Sequence, residues 1–166
     1  MKEYQLNFLH KVHSFHKVNF LKLVPELNPS EHMLINALLD CEFGKCANFT
    51  EGFDINTNET KGVKVSELAK SIHTTMPGVS RMLSSLEDKG IIERRIDPSD
   101  RRNTLVFITK DGADKIKGYK QRLDAYLDIV FERFGEENVV KLIELITLIT
   151  EISEEELNVA LSKVDI

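Results

Sequence analysis

Three arginines in the middle of the chain could bind an anionic surface. Arg81 lies in a helical segment, and Arg101 and Arg102 follow Asp100 in a short polar stretch. A guanidinium group is planar and carries several fixed N–H donors, so it suits bidentate binding to phosphate or to the major-groove edge of guanine. Asp100 could orient one neighbouring guanidinium by a charge-assisted hydrogen bond. These residues predict nucleic-acid binding.

The charge distribution agrees with that prediction. Residues 61–110 carry ten Lys and Arg against six Asp and Glu, a net charge of +4, although the whole chain carries −5. Phosphate neutralisation supplies most of the non-specific affinity for DNA. A basic middle between acidic ends is typical of a DNA-binding lobe on a scaffold, although ordinary surface variation would give the same balance.

Two short helices are expected to position Arg81. A first helix capped by Ser66 leads through a tight polar turn to a second, which Thr74 or Thr75 caps and Gly90 ends. This arrangement is a helix-turn-helix unit, whose second helix lies in the major groove. The predicted base-reading residues are Thr75, Met76, Pro77, Gly78, Ser80 and Arg81, and the residues predicted to lie nearer phosphates are Ser84, Ser85 and Lys89.

A β-hairpin is expected to carry the other two arginines. Residues 91–96 and 104–109 are strand-like, and residues 97–103 between them are rich in turn formers and charge. Arginines at such a tip suit a narrow, A·T-rich minor groove. The alternative is a hairpin tip that is merely well solvated.

The N-terminal part is predicted to hold two helices. Apolar spacing indicates a helix over residues 5–23, which Pro25 ends. Asn28, Pro29 and Glu31 form a capping signature for a second helix that runs to about Cys41. Residues 43–62 lack apolar periodicity and predict a long loop.

Two long helices are predicted after the hairpin, one beginning near Thr109 and broken by Gly135, the other spanning about 136–161. The last helix is apolar around more of its circumference than a one-sided surface helix requires, so a partner chain should cover part of it. Its apolar residues are Val139, Val140, Leu142, Ile143, Leu145, Ile146, Leu148, Ile149 and Ile152.

The segments 65–70, 79–83, 86–94 and 97–103, the last leading into 108–112, resemble the MarR family of winged helix-turn-helix regulators. The Asp-Arg-Arg wing followed by Ile-Thr-x-x-Gly carries much of this resemblance. It implies a homodimer with intertwined N- and C-terminal helices, and repression relieved by a small-molecule ligand, a metal or an oxidant. The loop at 43–62 is much longer than the family's usual link there.

We therefore predict a mainly α fold with a small β-hairpin wing. Residues 28–110 form the winged helix-turn-helix lobe, and residues 1–24 and 112–166 form a helical dimerisation region. A two-fold dimer would meet successive major grooves, so its double-stranded DNA target should be an inverted repeat. The alternatives are a winged-helix protein-interaction module without DNA binding, and a metal or thiol sensor with DNA binding as its output.

Histidines offer a candidate metal site. His10, His13 and His16 recur every three residues on the first helix and could share a metal with His32 or Glu31. The alternative, that these histidines are packed or hydrogen-bonded without a metal, is the more common outcome. His73, in the turn of the helix-turn-helix, is expected to be a surface residue or to lie near phosphate. We predict no metal and no cofactor.

Cys41 and Cys46 are the candidate redox residues, because a thiolate near a cation such as Lys45 would be more reactive. Inert thiols are the simpler expectation. No nucleophile–base set, phosphate-cradling glycine loop or carboxylate pair indicates catalysis. With no apolar run long enough for a bilayer and no signal-like N-terminus, we expect a cytoplasmic protein that is not an enzyme.

Overall fold

The computed structural model describes residues 1–44, 54–58 and 60–163. In chain order the elements are α1 (Glu3–His16), a 3-10 helix (Phe20–Leu23), α2 (Pro29–Phe43), β1 (Val63–Lys64), α3 (Val65–Ser71), α4 (Met76–Asp88), β2 (Ile92–Ile96), β3 (Thr104–Ile108), α5 (Lys110–Phe134) and α6 (Glu136–Ser162). The chain divides into two compact units, residues 1–123 and 124–166.

The start of α2 follows the predicted capping signature. The Asn28 side-chain oxygen accepts the Glu31 backbone N–H at 3.0 Å, and the Glu31 carboxylate accepts the Asn28 N–H at 2.8 Å. Pro29 occupies the first turn, where a missing N–H costs nothing. These reciprocal bonds satisfy two donors that the first turn of a helix leaves without partners.

The first helix is shorter than predicted. α1 ends at His16, and a separate 3-10 turn covers Phe20–Leu23, so the expectation of one helix over 5–23 is wrong. The Asn19 side chain accepts the Leu21 backbone N–H at 3.1 Å. An asparagine that bonds the local backbone in this way favours a turn over a continuing helix.

Helices α2, α3 and α4 pack on one another around the core of the first unit. Leu34, Leu68 and Leu83 are each at most 1% exposed. The core also takes in Val106 from the sheet and Ile116 from α5. The helix-turn-helix is therefore fixed by burial on its inner side, which leaves its outer side available.

The sheet has three antiparallel strands in the order β1-β3-β2. The β2–β3 hairpin pairs Ile92 with Ile108 and Ile96 with Thr104, within one residue of the predicted strands. The two-residue strand β1 was not predicted from the sequence, and Val63 in it pairs with Val106.

The second unit contains the end of α5 and all of α6. Gly135, with a φ of 86°, separates these helices as predicted. None of its described residues is buried, and its apolar side chains remain about half exposed, Ile143 at 58% and Ile149 at 44%. Among the helices of the described residues, none combines the length and apolar character needed to span a membrane.

Candidate nucleic-acid interface

Helix α4 has one buried side and one exposed side. Val79, Leu83 and Leu86 are at most 1% exposed and anchor it to the core. The Thr75 hydroxyl caps its N-terminus by accepting the Gly78 N–H at 3.3 Å. Since apolar residues fix the inner face, the short and polar residues of the first turns are presented outward.

The structure places most of the predicted reading residues on that outer side. Thr75, Met76, Pro77, Ser80 and Arg81 are exposed, while Gly78 and Ser84 are half-buried. The Arg81 Nε donates to the Pro77 carbonyl at 3.4 Å. This bond draws the guanidinium back toward the helix N-terminus, and its terminal N–H groups remain available for a ligand.

The turn of the wing is held by two aspartates. Asp97 is 6% exposed and accepts the Ser99 N–H at 2.8 Å and the Ser99 hydroxyl at 2.6 Å. These bonds lower the pKa of the Asp97 carboxyl. The Asn103 N–H donates to the Asp100 carbonyl at 2.9 Å, which closes the tip.

The arginines lie at that tip. The Asp100 carboxylate accepts Nε and Nη2 of Arg102 at 3.0 and 3.1 Å, and this pair lowers the pKa of Asp100. The Arg102 side chain is nonetheless 89% exposed, and Arg101 is exposed beside it. Asp100 thus orients one guanidinium without burying it.

A groove of about 470 Å³ separates the first turns of α4 from the wing. Besides Arg102, it is lined by Lys64 and Arg94, which the sequence did not single out. Arg94 Nε donates to the Glu87 carboxylate at 3.0 Å, and its bonds lower the pKa of Glu87. Arg94 Nη2 also reaches the Ser84 hydroxyl at 3.3 Å, so this arginine ties the wing strand to α4.

Lys89 is bonded to the buried carboxylate of Glu31. Its ammonium bonds both carboxylate oxygens of Glu31, at 2.5 and 2.6 Å, and the Glu26 carbonyl at 2.9 Å. The Ser85 hydroxyl also donates to Glu31, at 2.6 Å. These three bonds engage the three protons of the ammonium group, so a phosphate contact by Lys89, which stays a prediction, would have to replace one of them.

The candidate metal ligands whose side chains the structure describes do not converge. His10 and His13 are exposed on α1, and the His16 side chain lies outside the described residues. His32 is half-buried on α2, where burial lowers its pKa and Asn36 contacts its Nδ1 at 3.2 Å. Within the described ranges, no three His, Cys, Asp or Glu side chains are grouped closely enough to hold a metal ion.

Cys41 is a half-buried free thiol. Burial raises its pKa, and the nearby Glu67 raises it further. Because the thiolate is the reactive form, this environment disfavours the oxidant-sensing alternative at Cys41. Cys46 lies outside the described residues.

Residues 57–104 match the model of the MarR family. The uncharacterized HTH-type transcriptional regulator YdgJ of Bacillus subtilis (strain 168) is 25% identical over 115 residues, which are 68% of this chain and 70% of that protein. The structure of Streptococcus pneumoniae FabT in complex with DNA is similar, with a TM-score of 0.65 and 20% identity over 92% of this chain and 99% of that chain.

A second solved structure, the transcriptional repressor CouR bound to a 23-mer DNA duplex, has a TM-score of 0.61 at 23% identity. The match covers 90% of this chain and 98% of that chain. The predicted fold class, mainly helical with a small β wing, and the predicted family resemblance are confirmed.

Proposed function

We propose that this chain, whose residues 57–104 match the model of the MarR family, is a homodimeric, sequence-specific DNA-binding transcriptional regulator. The observation that carries the proposal is the exposed polar side of α4 beside the Asp100–Arg102 pair of the wing. Its target would be double-stranded DNA. The protein would act in the cytoplasm, where that DNA lies, and would not be an enzyme.

The first turns of α4 supply base readout in this proposal. A major groove about 12 Å wide admits one helix. Arg81 suits a bidentate contact to guanine, and Met76, which is 50% exposed, offers an apolar surface to a thymine methyl group. Thr75 and Ser80 stand on the same exposed side.

The wing supplies the second contact. Arg102 is extended at the hairpin tip and oriented by Asp100, and Arg101 is exposed next to it. Arginines presented in this way suit the concentrated negative potential of a narrow minor groove. We assign Arg101 and Arg102 to this contact and Asp100 to holding the tip.

Dimerisation follows from the apolar surface of the terminal helices. In α1, Phe8 and Leu9 are each 50% exposed, and in α6, Leu145 and Leu148 are exposed by 57% and 53%. Large apolar side chains exposed in such numbers along one helix are typical of a protein interface. A two-fold dimer carries two α4 helices, so its operator is an inverted repeat with half-sites about 34–36 Å apart or a multiple of that.

Repression is the simpler mode, because a dimer bound across a promoter blocks polymerase without further contacts. The comparisons with FabT and CouR, both solved with DNA, support DNA binding for this fold. A small-molecule effector would act on that affinity.

Selection of bound sequences from a random duplex library tests the proposal directly. The salt concentration is fixed near physiological, because affinity for DNA depends steeply on salt. Recovery of an inverted repeat with the expected spacing supports a dimeric DNA reader. Recovery of no sequence by protein shown to be folded and dimeric contradicts it and favours a protein-interaction module.

Replacement of Arg101 and Arg102 together by alanine tests the wing. We expect weaker operator binding and a less steep dependence of log affinity on log salt, by about 0.9 for each phosphate that the variant no longer neutralises. Sedimentation should show an unchanged dimer. Arg95→Ala is the matched control. Arg95 is on the same hairpin but away from the tip, with its guanidinium carbon 4.8 Å from the centre of the Phe107 ring. Equal affinity of the double variant and the control would reject the wing assignment.

A further inference from the structure

Glu31 is the most deeply buried charged side chain among the described residues, at 0% exposure. Burial raises the pKa of its carboxyl, but hydrogen bonds from Lys89, Ser85 and the Asn28 backbone outweigh this effect, and the net pKa is lowered. The carboxylate therefore stays charged inside the protein. Such a group is costly unless it is fully paired, so its partners define what it does.

The two side-chain partners lie at the C-terminal end of α4, opposite the turns proposed to contact bases. Lys89 is the C-cap residue of α4, and Ser85 lies one turn before it. Glu31 belongs to the first turn of α2. The bonds that satisfy the buried carboxylate thus join the start of α2 to the end of α4.

Lys89 is also held from α5. Its backbone carbonyl accepts Lys115 Nζ at 2.8 Å, and Lys115 pairs with Asp111 at 2.5 Å. The carbonyl that receives the Lys89 ammonium belongs to Glu26, whose carboxylate accepts Arg122 Nη2 at 2.9 Å. The C-cap residue of α4 is therefore fixed through its side chain by α2 and through its main chain by α5.

We infer that Glu31 and Lys89 form a positioning pair that sets the direction of α4 relative to α2 and α5. This inference rests on the proposed DNA-binding function and deepens it. α4 has 13 residues, so it is about 20 Å long and a tilt of ~5° at its C-terminal end moves its first turn by ~1.7 Å. Such a shift exceeds what base-edge hydrogen bonds tolerate, whereas contacts to phosphate are more forgiving.

A different result is expected if Lys89 contacts phosphate instead of positioning α4. If Lys89 were a phosphate contact held back by Glu31, then Glu31→Gln would release the lysine and raise affinity for DNA. A positioning pair predicts the reverse, because the loss of the carboxylate charge loosens the end of α4. The sign of the change in operator affinity therefore separates the two roles.

The test measures Glu31→Gln and Lys89→Met against a selected operator and against a random duplex, over a series of salt concentrations. We expect operator affinity to fall by about tenfold in both variants. We also expect unchanged affinity for the random duplex and an unchanged salt dependence. Tighter operator binding by Glu31→Gln, or a slope reduced by about 0.9 in Lys89→Met, would overturn the inference.

Two controls separate a loss of α4 positioning from a general loss of folding or dimerisation. Lys117→Met removes a lysine from a surface pair with Asp54, 3.5 Å apart, and should leave operator affinity unchanged. Thermal unfolding and sedimentation check that each variant is folded and dimeric. If Glu31→Gln does not fold, Lys89→Met and Ser85→Ala carry the test, since Ser85→Ala removes a single bond to Glu31 and should give a smaller loss of the same kind.

A measurement without DNA keeps this inference separate from the proposed function. Amide hydrogen exchange should be faster in the last turn of α4 in Glu31→Gln, with protection in the β2–β3 hairpin unchanged. Unchanged exchange in that turn would overturn the positioning role. If the wild type selects no operator, the proposed function fails, and exchange alone then decides whether Glu31 fixes α4.

Discussion

Gly112→Ala should destabilise the fold strongly, because α5 begins in direct contact with the backbone of the wing. A Cβ at this position would lie 1.9 Å from the Ile91 carbonyl oxygen and 2.7 Å from its carbon. The two segments cannot simply move apart, because the Thr109 hydroxyl donates to the Gly90 carbonyl at 2.7 Å and the Thr109 N–H donates to the Ile91 carbonyl at 3.1 Å. Overpacking against fixed backbone should cost about 3 kcal/mol or more.

Gly118→Ala, six residues later in the same helix, is the matched control. An added Cβ there meets nothing within 4 Å. Removing a glycine from a helix interior should then stabilise the protein by about 0.5–1 kcal/mol. Urea unfolding followed by circular dichroism gives both values. A loss below about 1 kcal/mol for Gly112→Ala, or equal effects of the two variants, would refute the close approach of α5 to Ile91.

Three further results are expected. Arg81→Ala should cost about 1–3 kcal/mol of operator binding and relax the preference at one base pair in competition assays, whereas equal loss on all sequences would make Arg81 a phosphate contact. Ile146 is 54% exposed in the single chain. Ile146→Asp should weaken dimerisation by about 3 kcal/mol or more, measured by sedimentation, because it would bury an unpaired charge in the interface. An unchanged dimer would exclude Ile146 from the interface.

The third result concerns pH. The folded-state pKa of Glu31 is lowered, so its pair with Lys89 stabilises the fold above the ordinary value of 4.5 and this stabilisation is lost as pH falls below it. The stability difference between wild type and Glu31→Gln should therefore be largest near neutral pH and shrink toward pH ~3. A difference that grows on acidification would contradict the assigned ion pair.

Helix boundaries that depend on single residues were predictable from the sequence. The Asn28 cap, the proline after it and the break at Gly135 all appear where expected, because each residue encodes a local backbone geometry. The exposed side of α4 was predictable for a related reason. Its apolar residues recur at helical spacing, so the remaining positions had to face outward.

Elements that depend on distant partners were not predictable in this way. β1 has two residues and exists because Val63 pairs with Val106, more than forty positions away. The end of α1 at His16 was missed because the apolar spacing continues past Asn19, although its side chain favours a turn there. The local sequence pattern thus overestimated the length of α1 and could not detect β1.

Contacts between distant residues also determine how much of the positive charge in residues 61–110 is available to bind DNA. Residues 61–110 have a net charge of +4 by composition, yet Lys89, Arg94 and Arg95 each pair with a carboxylate, those of Glu31, Glu87 and Glu93 respectively. A cation that is already paired releases few counterions from DNA, so it adds little to the salt dependence of binding. We therefore expect a salt dependence set by a few residues in each protomer, chiefly Arg81 and Arg101, with Arg102 contributing because its side chain stays 89% exposed beside Asp100. Two of the paired cations instead fix α4, since Lys89 ties its end to α2 and Arg94 ties it to the wing strand.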